Sequence, residues 1–134
     1  GRVLERMDTD TSCGGEYRDK NIIQRFPIFA RQLTAFKAVA VCAGGAGKVR
    51  LISIFDGKTE YQLGKPMEGL GSNGFFVYAY PSQAVQAEVP LESALRSAKR
   101  VILRCLVSGS GWRQGPTLAF PFLTPIAVLD NLAI

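Results

Sequence analysis

The feature of this sequence that most constrains its fold is a series of short strand-like runs, mostly joined by short glycine turns. The strand-like runs lie at residues 34–42, 48–55, 58–63, 75–80, 101–107 and 117–122. In residues 48–55, the apolar side chains of Val49, Leu51 and Phe55 fall on one face. A period of two residues is typical of strands. These runs therefore predict an antiparallel sheet.

The dipeptide Asp56-Gly57 gives the clearest turn signal in the chain, because it lies between two strand-like runs. Type I′ turns need a positive φ at both central residues, and Asp-Gly tolerates this conformation well. The sequence therefore predicts a hairpin with a tight two-residue turn at this position.

A helical period is visible only in the last third of the chain. Behind Pro90, four apolar residues follow the i, i+3, i+4, i+7 spacing of one helix face: Leu91, Ala94, Leu95 and Ala98. A second helical segment is predicted to begin at Thr124, with Pro125 in the first helical position. Ser108–Pro116, between the last two strand-like runs, reads as a flexible glycine loop.

Together these segments predict a mainly β or α+β fold. We expect an antiparallel sheet or sandwich of about six short strands, with one or two helices in the C-terminal half. Residues 1–24 are polar and mixed in charge, which indicates an irregular N-terminal arm, and residues 25–134 are expected to form a single β-rich domain. No apolar run approaches the ~20 residues that span a bilayer, so no membrane span is expected.

The complete absence of histidine narrows the functions open to the chain. It removes the Ser-His-Asp triad, the Cys-His pair and imidazole metal sites. The three cysteines, Cys13, Cys42 and Cys105, form no CxxC pair, and a disulfide between Cys13 and Cys42 is as plausible as free thiols. We therefore expect a protein that is not an enzyme and that has no catalytic residue, metal or cofactor.

Two glycine motifs resemble phosphate-binding loops. Residues 69–74 match GxGxxG, but they precede a strand where the dinucleotide fingerprint needs a helix. Residues 44–48 resemble the end of a P-loop, but Val49 stands where a Ser or Thr would bind magnesium. Both motifs are interpreted as turns.

The net charge of +5 favours an anionic or a protein partner. The basic residues cluster locally at Arg96, Lys99, Arg100 and Arg104, which predicts a basic helix face. Trp112 and Arg113 stand together in the glycine loop, and these residue types are enriched at interaction hot spots. The alternative is that Trp112 folds back over the core. Nucleic acid is disfavoured, although not excluded, because the aromatic residues are not interleaved with the basic ones along the sequence.

The C-terminal half runs as a helix, a V-I-L-R strand, a glycine loop, a Phe-rich strand and a final helix. This order is similar in pattern to small exported bacterial envelope proteins such as the invasion-associated locus B group. The likeness has no diagnostic motif, and it transfers no residue role.

The sequence thus predicts a secreted or envelope-associated binding protein that recognises a protein, an anionic surface or a polysaccharide. The binding residues are expected in loops and on the basic helix face. The alternative is a structural subunit of a virion or of another homo-oligomeric assembly, and a histidine-free enzyme is the least favoured class.

Overall fold

The computed structural model describes residues 24–69, 74–87 and 98–129. The predicted N-terminal arm lies outside the described residues, except for the exposed Gln24. The predicted helix behind Pro90 also lies outside them, apart from its C-terminal end at residues 98–100.

Strands make up most of the described residues, which confirms a mainly β fold with an antiparallel sheet. The prediction of short strands is wrong for the two longest, which span 21 and 15 residues. There are eight strands rather than about six: β1 (Arg25–Gly45), β2 (Lys48–Ser53), β3 (Glu60–Tyr61), β4 (Met67–Glu68), β5 (Phe75–Tyr78), β6 (Arg100–Gln114), β7 (Thr117–Phe120) and β8 (Phe122–Leu129). One short helix, α1 (Pro81–Val85), follows β5, where the sequence predicted none. No helix in these three described ranges is long and apolar enough to cross a membrane.

The sheet order is β3-β2-β1-β5-β7-β6-β8-β4, and an additional pairing joins β1 to β6. This pairing closes β1, β5, β7 and β6 into a ring. β1 and β6 form the longest ladder of the ring, from Arg25 opposite Gln114 to Ala40 opposite Arg100. The ring gives these four strands an inner and an outer face.

The inner face holds the larger of the two hydrophobic clusters. Its buried members are Ala35, Val39, Tyr61, Phe75, Val77, Leu103, Cys105, Val107, Leu118, Phe120 and Leu123. A register shift between Ala30 and Leu33 changes which residues of β1 point inward, so that Ile28 and Ala30 pack on the same cluster.

A second cluster lies on the outer face. Here α1 packs Ala84 against sheet residues that include Ala38, Ala40 and Ile102. The helix therefore covers the end of the outer face where β6 begins.

The β2–β3 hairpin is confirmed, because Leu51 lies opposite Tyr61 and Ile52 lies opposite Glu60. The prediction of a tight two-residue turn is wrong. Asp56 and Gly57 belong to a longer loop in which the Asp56 carboxylate accepts hydrogen bonds from the amides of Lys58 (2.7 Å) and Thr59 (2.9 Å) and from the Thr59 hydroxyl (2.5 Å). A carboxylate that caps several donors stabilises a wider loop than the dipeptide alone suggests.

Replacing Asp56 with alanine is expected to cost about 1 to 2 kcal/mol, because three donors lose a charged acceptor. Partial burial acts to raise the pKa of Asp56, but the bonds from Thr59 and Lys58 and the charge of Lys37 outweigh it and lower the pKa. The wild-type advantage should therefore hold above the ordinary carboxyl pKa and disappear as acid protonates Asp56. Urea unfolding at pH 7 and below pH 4 measures this, and Asp56→Asn, which keeps an acceptor oxygen, serves as the control.

The glycine loop predicted at Ser108–Pro116 is wrong, because β6 continues through it to Gln114 and pairs with both β1 and β7. The turn itself is only Gly115-Pro116. A Cβ atom at Gly111 would overlap the carbonyl oxygen of Ala119, so this glycine permits a close approach between strands. Glycine here marks tight packing rather than a loop.

The final helix predicted from Thr124 is also wrong, because this segment is β8, which pairs with β6. Pro125 is buried opposite Cys105, next to a register shift between Arg104 and Cys105. Proline has no amide hydrogen to donate, and an irregularity in the ladder accommodates it. The Pro125 carbonyl accepts a hydrogen bond from the Gly64 amide at 2.7 Å.

Candidate binding surface

On the inner face, the side chain of Lys37 buries its ammonium group, and the residue is 2% exposed. Its Nζ donates a 2.7 Å hydrogen bond to the carbonyl of Phe76. The same atom lies 5.1 Å from the ring centroid of Phe55 and 5.7 Å from that of Tyr61. The ammonium group of Lys37 is therefore surrounded by two aromatic rings, a carbonyl oxygen and the side chains of the inner cluster.

Burial alters the titration of this interior group and its neighbours. It lowers the pKa of Lys37 to about 8, although the charges of Cys105 and Asp56 act in the opposite direction. It raises the pKa of the Cys105 thiol to about 12 against the charge of Lys37, and it raises the pKa of Tyr61 above its ordinary value. The thiol is thus kept neutral, in a state that is a poor nucleophile.

The outer face is different, because among the described residues only α1 covers it, and α1 covers only one end. Beyond Ile102, the outward residues of β6 run from Arg104 through Leu106, Ser108 and Ser110 to Trp112, over roughly 26 Å of strand. Those of β1 beside them include Thr34, Phe29 and Arg25, and those of β8 include Thr124 and Phe122. We call this surface, from Arg104 to Trp112 with its neighbours on β1 and β8, the open face.

A shallow groove of about 170 Å³ lies on the open face, where β1 bulges away from β6. Its polar and apolar walls come from three strands: Arg31, Gln32, Leu106, Val107, Ser108, Phe122, Leu123 and Thr124. Arg31 and Gln32 occupy the register shift of β1, which turns both side chains toward solvent beside the groove. The bulge is therefore what brings a guanidinium to this site.

Aromatic and guanidinium groups alternate across the open face. The guanidinium of Arg25 lies 3.9 Å from the ring centroid of Trp112, and the edge of Phe76 packs on the same indole at 5.7 Å between centroids. Phe29 is 69% exposed, and Phe122 is 43% exposed, with one side of its ring close to Gly109.

The predicted binding residues separate in the fold. Trp112 and Arg104 share the open face, but Arg113 points to the opposite side of β6, where its guanidinium lies 5.2 Å from the ring of Phe26. Adjacent residues of a strand point to opposite faces, so Trp112 and Arg113 do not form one site. The flexible setting predicted for Trp112 is wrong, because its strand pairs on both sides.

The basic helix face needs a similar correction. Lys99 is exposed just before β6, while Arg100 and Arg104 lie on β6 itself and not on a helix. Arg100 is committed to the fold, because it donates a 2.8 Å hydrogen bond to the carbonyl of Ala87. Arg96 lies outside the described residues, as does Cys13, so the Cys13–Cys42 disulfide stays a prediction. Within the described residues, Cys42 and Cys105 are not bonded to each other.

Acidic groups are scarce around the open face. In the described parts of the chain the acidic residues are Asp56, Glu60 and Glu68. Asp56 caps its own loop, and Glu60 pairs with Arg50 at 3.2 Å. Only Glu68, opposite Phe122 on β4, borders the open face. Among the described residues of the open face, Arg25, Arg31 and Arg104 thus outnumber this one carboxylate.

Sequence reasoning missed four members of this surface: Arg25, Phe29, Arg31 and Phe122. Phe29 and Phe122 are far apart in sequence, and the ladders of β6 bring them near each other, because Phe29 lies opposite Ser110 and Phe122 lies opposite Ser108. The available signal was an apolar residue on the solvent side of a strand, but this signal needs the register of three strands before it can be read.

The open face is therefore a solvent-exposed sheet surface with three guanidinium groups, two exposed phenylalanine residues and a groove. Such a surface can bind a ligand without any chemical step. Comparison with family models, curated proteins and solved structures found no match to the chain.

Proposed function

We propose that this protein is a non-catalytic binding protein that recognises an anionic macromolecule on its open face. The observation that carries the proposal is the set of Arg25, Arg31 and Arg104 on one sheet surface that, among the described residues, is uncovered and has a single acidic neighbour, Glu68. In the described part of the chain none of the three guanidinium groups pairs with a carboxylate, and the Nε of Arg25 donates a 3.1 Å hydrogen bond to Gln114 Oε1, which leaves its two terminal nitrogens for a ligand. Such nitrogens bind carboxylates and phosphates. The partner binds to the sheet surface rather than to a helix face or a mobile loop.

The interior supports a non-catalytic role. Lys37, whose pKa is the most suggestive of chemistry, is enclosed and hydrogen-bonded to a carbonyl. Cys105 is buried and its pKa is raised, so it is a poor nucleophile. Lys37 and Cys105 are thus part of the packed interior, and binding is assigned to the exposed residues.

The edge of β1 argues against strand-to-strand assembly as the main activity. Among the described residues, the N-terminal half of β1 pairs only with β6, so its other side is an edge. Pro27 lies on this half, Arg25 and Arg31 flank it, and the register shift follows it. Proline, charge and bulges are the devices that discourage a second chain from adding to an exposed edge. Binding through the face avoids this obstacle, and an assembly subunit would need contacts other than this edge.

Replacing Arg25, Arg31 and Arg104 together with glutamine is expected to weaken binding to polyanions by at least about 10-fold at low salt, because each loses a charge-assisted contact. Fluorescence anisotropy with labelled heparin, poly-glutamate and oligothymidylate measures this. The matched control replaces Lys48, Lys58 and Lys65, which are exposed, with glutamine, so that the net charge changes equally.

The control should retain at least half of the wild-type affinity, while Glu68→Gln should bind slightly more tightly because it removes the one carboxylate at the margin. Equal losses in both triple variants would show that only the net charge matters, and the open face would not be the site. The absence of binding to all three polyanions would refute the proposal.

A further inference from the structure

We infer that the partner of the open face is a single-stranded nucleic acid, whose bases stack on the exposed rings and whose phosphates contact the guanidinium groups. This inference rests on the proposed function, because it names the class of anionic macromolecule that the same surface binds. Along the sequence, the aromatic and basic residues are not interleaved. In the folded sheet, residues from neighbouring strands bring aromatic and basic side chains next to each other, and the inference follows from that arrangement.

The exposed rings provide the stacking surfaces. Phe29 and Phe122 flank β6 on opposite sides, two residues apart in register. Two strand spacings and two residues along the strand place their backbone positions about 12 Å apart. The guanidinium plane of Arg25, supported by Trp112 at 3.9 Å, is a third flat surface on the same face. Bases stack on aromatic rings and on arginine planes regardless of sequence.

Basic groups lie between and beside these surfaces. Arg31 and Phe122 both border the groove. Arg104 precedes Leu106, a residue of the groove wall, by two positions on β6. The hydroxyls of Ser108 and Thr124 line the groove between them. A nucleic acid strand that crosses the groove would thus meet guanidinium and hydroxyl donors on the way from one ring to the other. Such donors are the usual partners of phosphate oxygens.

Other polyanions use less of this surface. A sulfated polysaccharide carries charge but no aromatic rings to stack on Phe29 and Phe122. An acidic peptide in extended form would gain most by adding to a strand edge, and Pro27 and the bulge in β1 obstruct that edge. Only a single-stranded nucleic acid supplies both repeated planar groups and repeated charge.

The test compares Phe29→Ala with wild type, using an oligothymidylate, poly-glutamate and heparin as probes. Phe29 is 69% exposed, so its loss should leave the fold intact. We expect about a 5- to 150-fold loss of affinity for the oligothymidylate, which corresponds to one stacked base, and less than about a 2-fold change for the other two probes. Tyr80→Ala is the matched control, since Tyr80 is an aromatic residue with 63% exposure that lies just before α1.

The single tryptophan supplies a second readout. Oligothymidylate should change the fluorescence of Trp112, because its base would stack on the Arg25 guanidinium that covers the indole. Affinity should fall roughly 20-fold between about 50 and 200 mM salt if three phosphates are contacted, and Arg31→Gln should reduce that dependence.

The outcomes separate the two levels of the proposal. If all three polyanions bind equally and Phe29→Ala changes none of them, the open face binds anions in general and the nucleic-acid inference is overturned. If poly-glutamate or heparin binds and oligothymidylate does not, the partner is an acidic protein or a polysaccharide. If no probe binds, the proposed function itself fails.

Discussion

Replacing Gly111 with alanine is expected to destabilise the protein by about 3 kcal/mol or more, which would lower its melting temperature by about 10 °C. An added methyl group would overlap the carbonyl oxygen of Ala119, and that carbonyl belongs to the neighbouring strand β7. Backbone cannot rotate aside as a long side chain does, so β6 and β7 would have to move apart. The movement would disturb the packing of Trp112 on Phe76 and the packing of Phe120 in the inner cluster.

Thermal and urea unfolding of Gly111→Ala and of Ser110→Ala would measure this effect. Ser110 is the adjacent, exposed residue of the same strand, and its replacement should change the free energy of unfolding by less than about 0.5 kcal/mol. If Gly111→Ala were as stable as Ser110→Ala, the close approach of β6 and β7 would be wrong, and residues 108–116 would again be best described as a loop.

The same residues show why local sequence reasoning failed here. Ser-Gly-Ser-Gly-Trp has the composition of a flexible loop, and composition does not reveal that Gly111 faces a neighbouring carbonyl. The strands at 34–42, 48–55 and 101–107 were predictable from their runs of apolar and β-branched residues, although both of their faces contribute to the core: Leu103 belongs to the inner cluster and Ile102 to the outer one. Pro125 misled for a related reason: it suits a helix start equally well, and only the ladder with β6 places it in a strand.

The candidate site was predictable only in part. Trp112 and Arg104 were identified by residue type, and the register of β6 places both on the open face. Arg113 was assigned with Trp112 because they are neighbours in sequence, yet adjacent strand residues point apart. Phe29 and Phe122 could not be identified before the register was known, because their proximity depends on two ladders and on the bulge after Ala30. A surface formed by residues of several strands can be predicted only when the register of those strands is known, and the sequence alone does not give this register.

Replacing the buried Lys37 with methionine is expected to stabilise the protein at pH 7 by about 1 to 3 kcal/mol. Methionine has a similar length and needs no solvation, whereas the ammonium must leave water to occupy the inner face. The lowering of the Lys37 pKa from 10.5 to about 8 corresponds to an unfavourable charge on the order of 3 kcal/mol. The lost hydrogen bond to the Phe76 carbonyl offsets part of the gain.

The pH dependence makes this expectation specific to the titration of Lys37. The unfolded chain keeps the proton up to about pH 10.5, and the folded protein releases it near pH 8. Between these values folding expels a proton, so wild-type stability increases with pH and the advantage of Lys37→Met declines, by about 1 kcal/mol from pH 7 to pH 9. Cys105 and Tyr61, which retain protons more tightly in the fold, act in the opposite sense, but both variants contain them and their effects cancel in the comparison.

Urea unfolding of wild type, Lys37→Met and Lys48→Met at pH 7, 8 and 9 would test this prediction. The exposed Lys48 should give a difference that is small and does not vary with pH. A destabilised Lys37→Met at pH 7 would mean that the aromatic rings of Phe55 and Tyr61 and the Phe76 carbonyl hold the ammonium more strongly than burial disfavours it. A stabilised variant would instead show that the interior lysine is maintained at a cost, so that the fold gains its stability from the apolar members of the inner cluster.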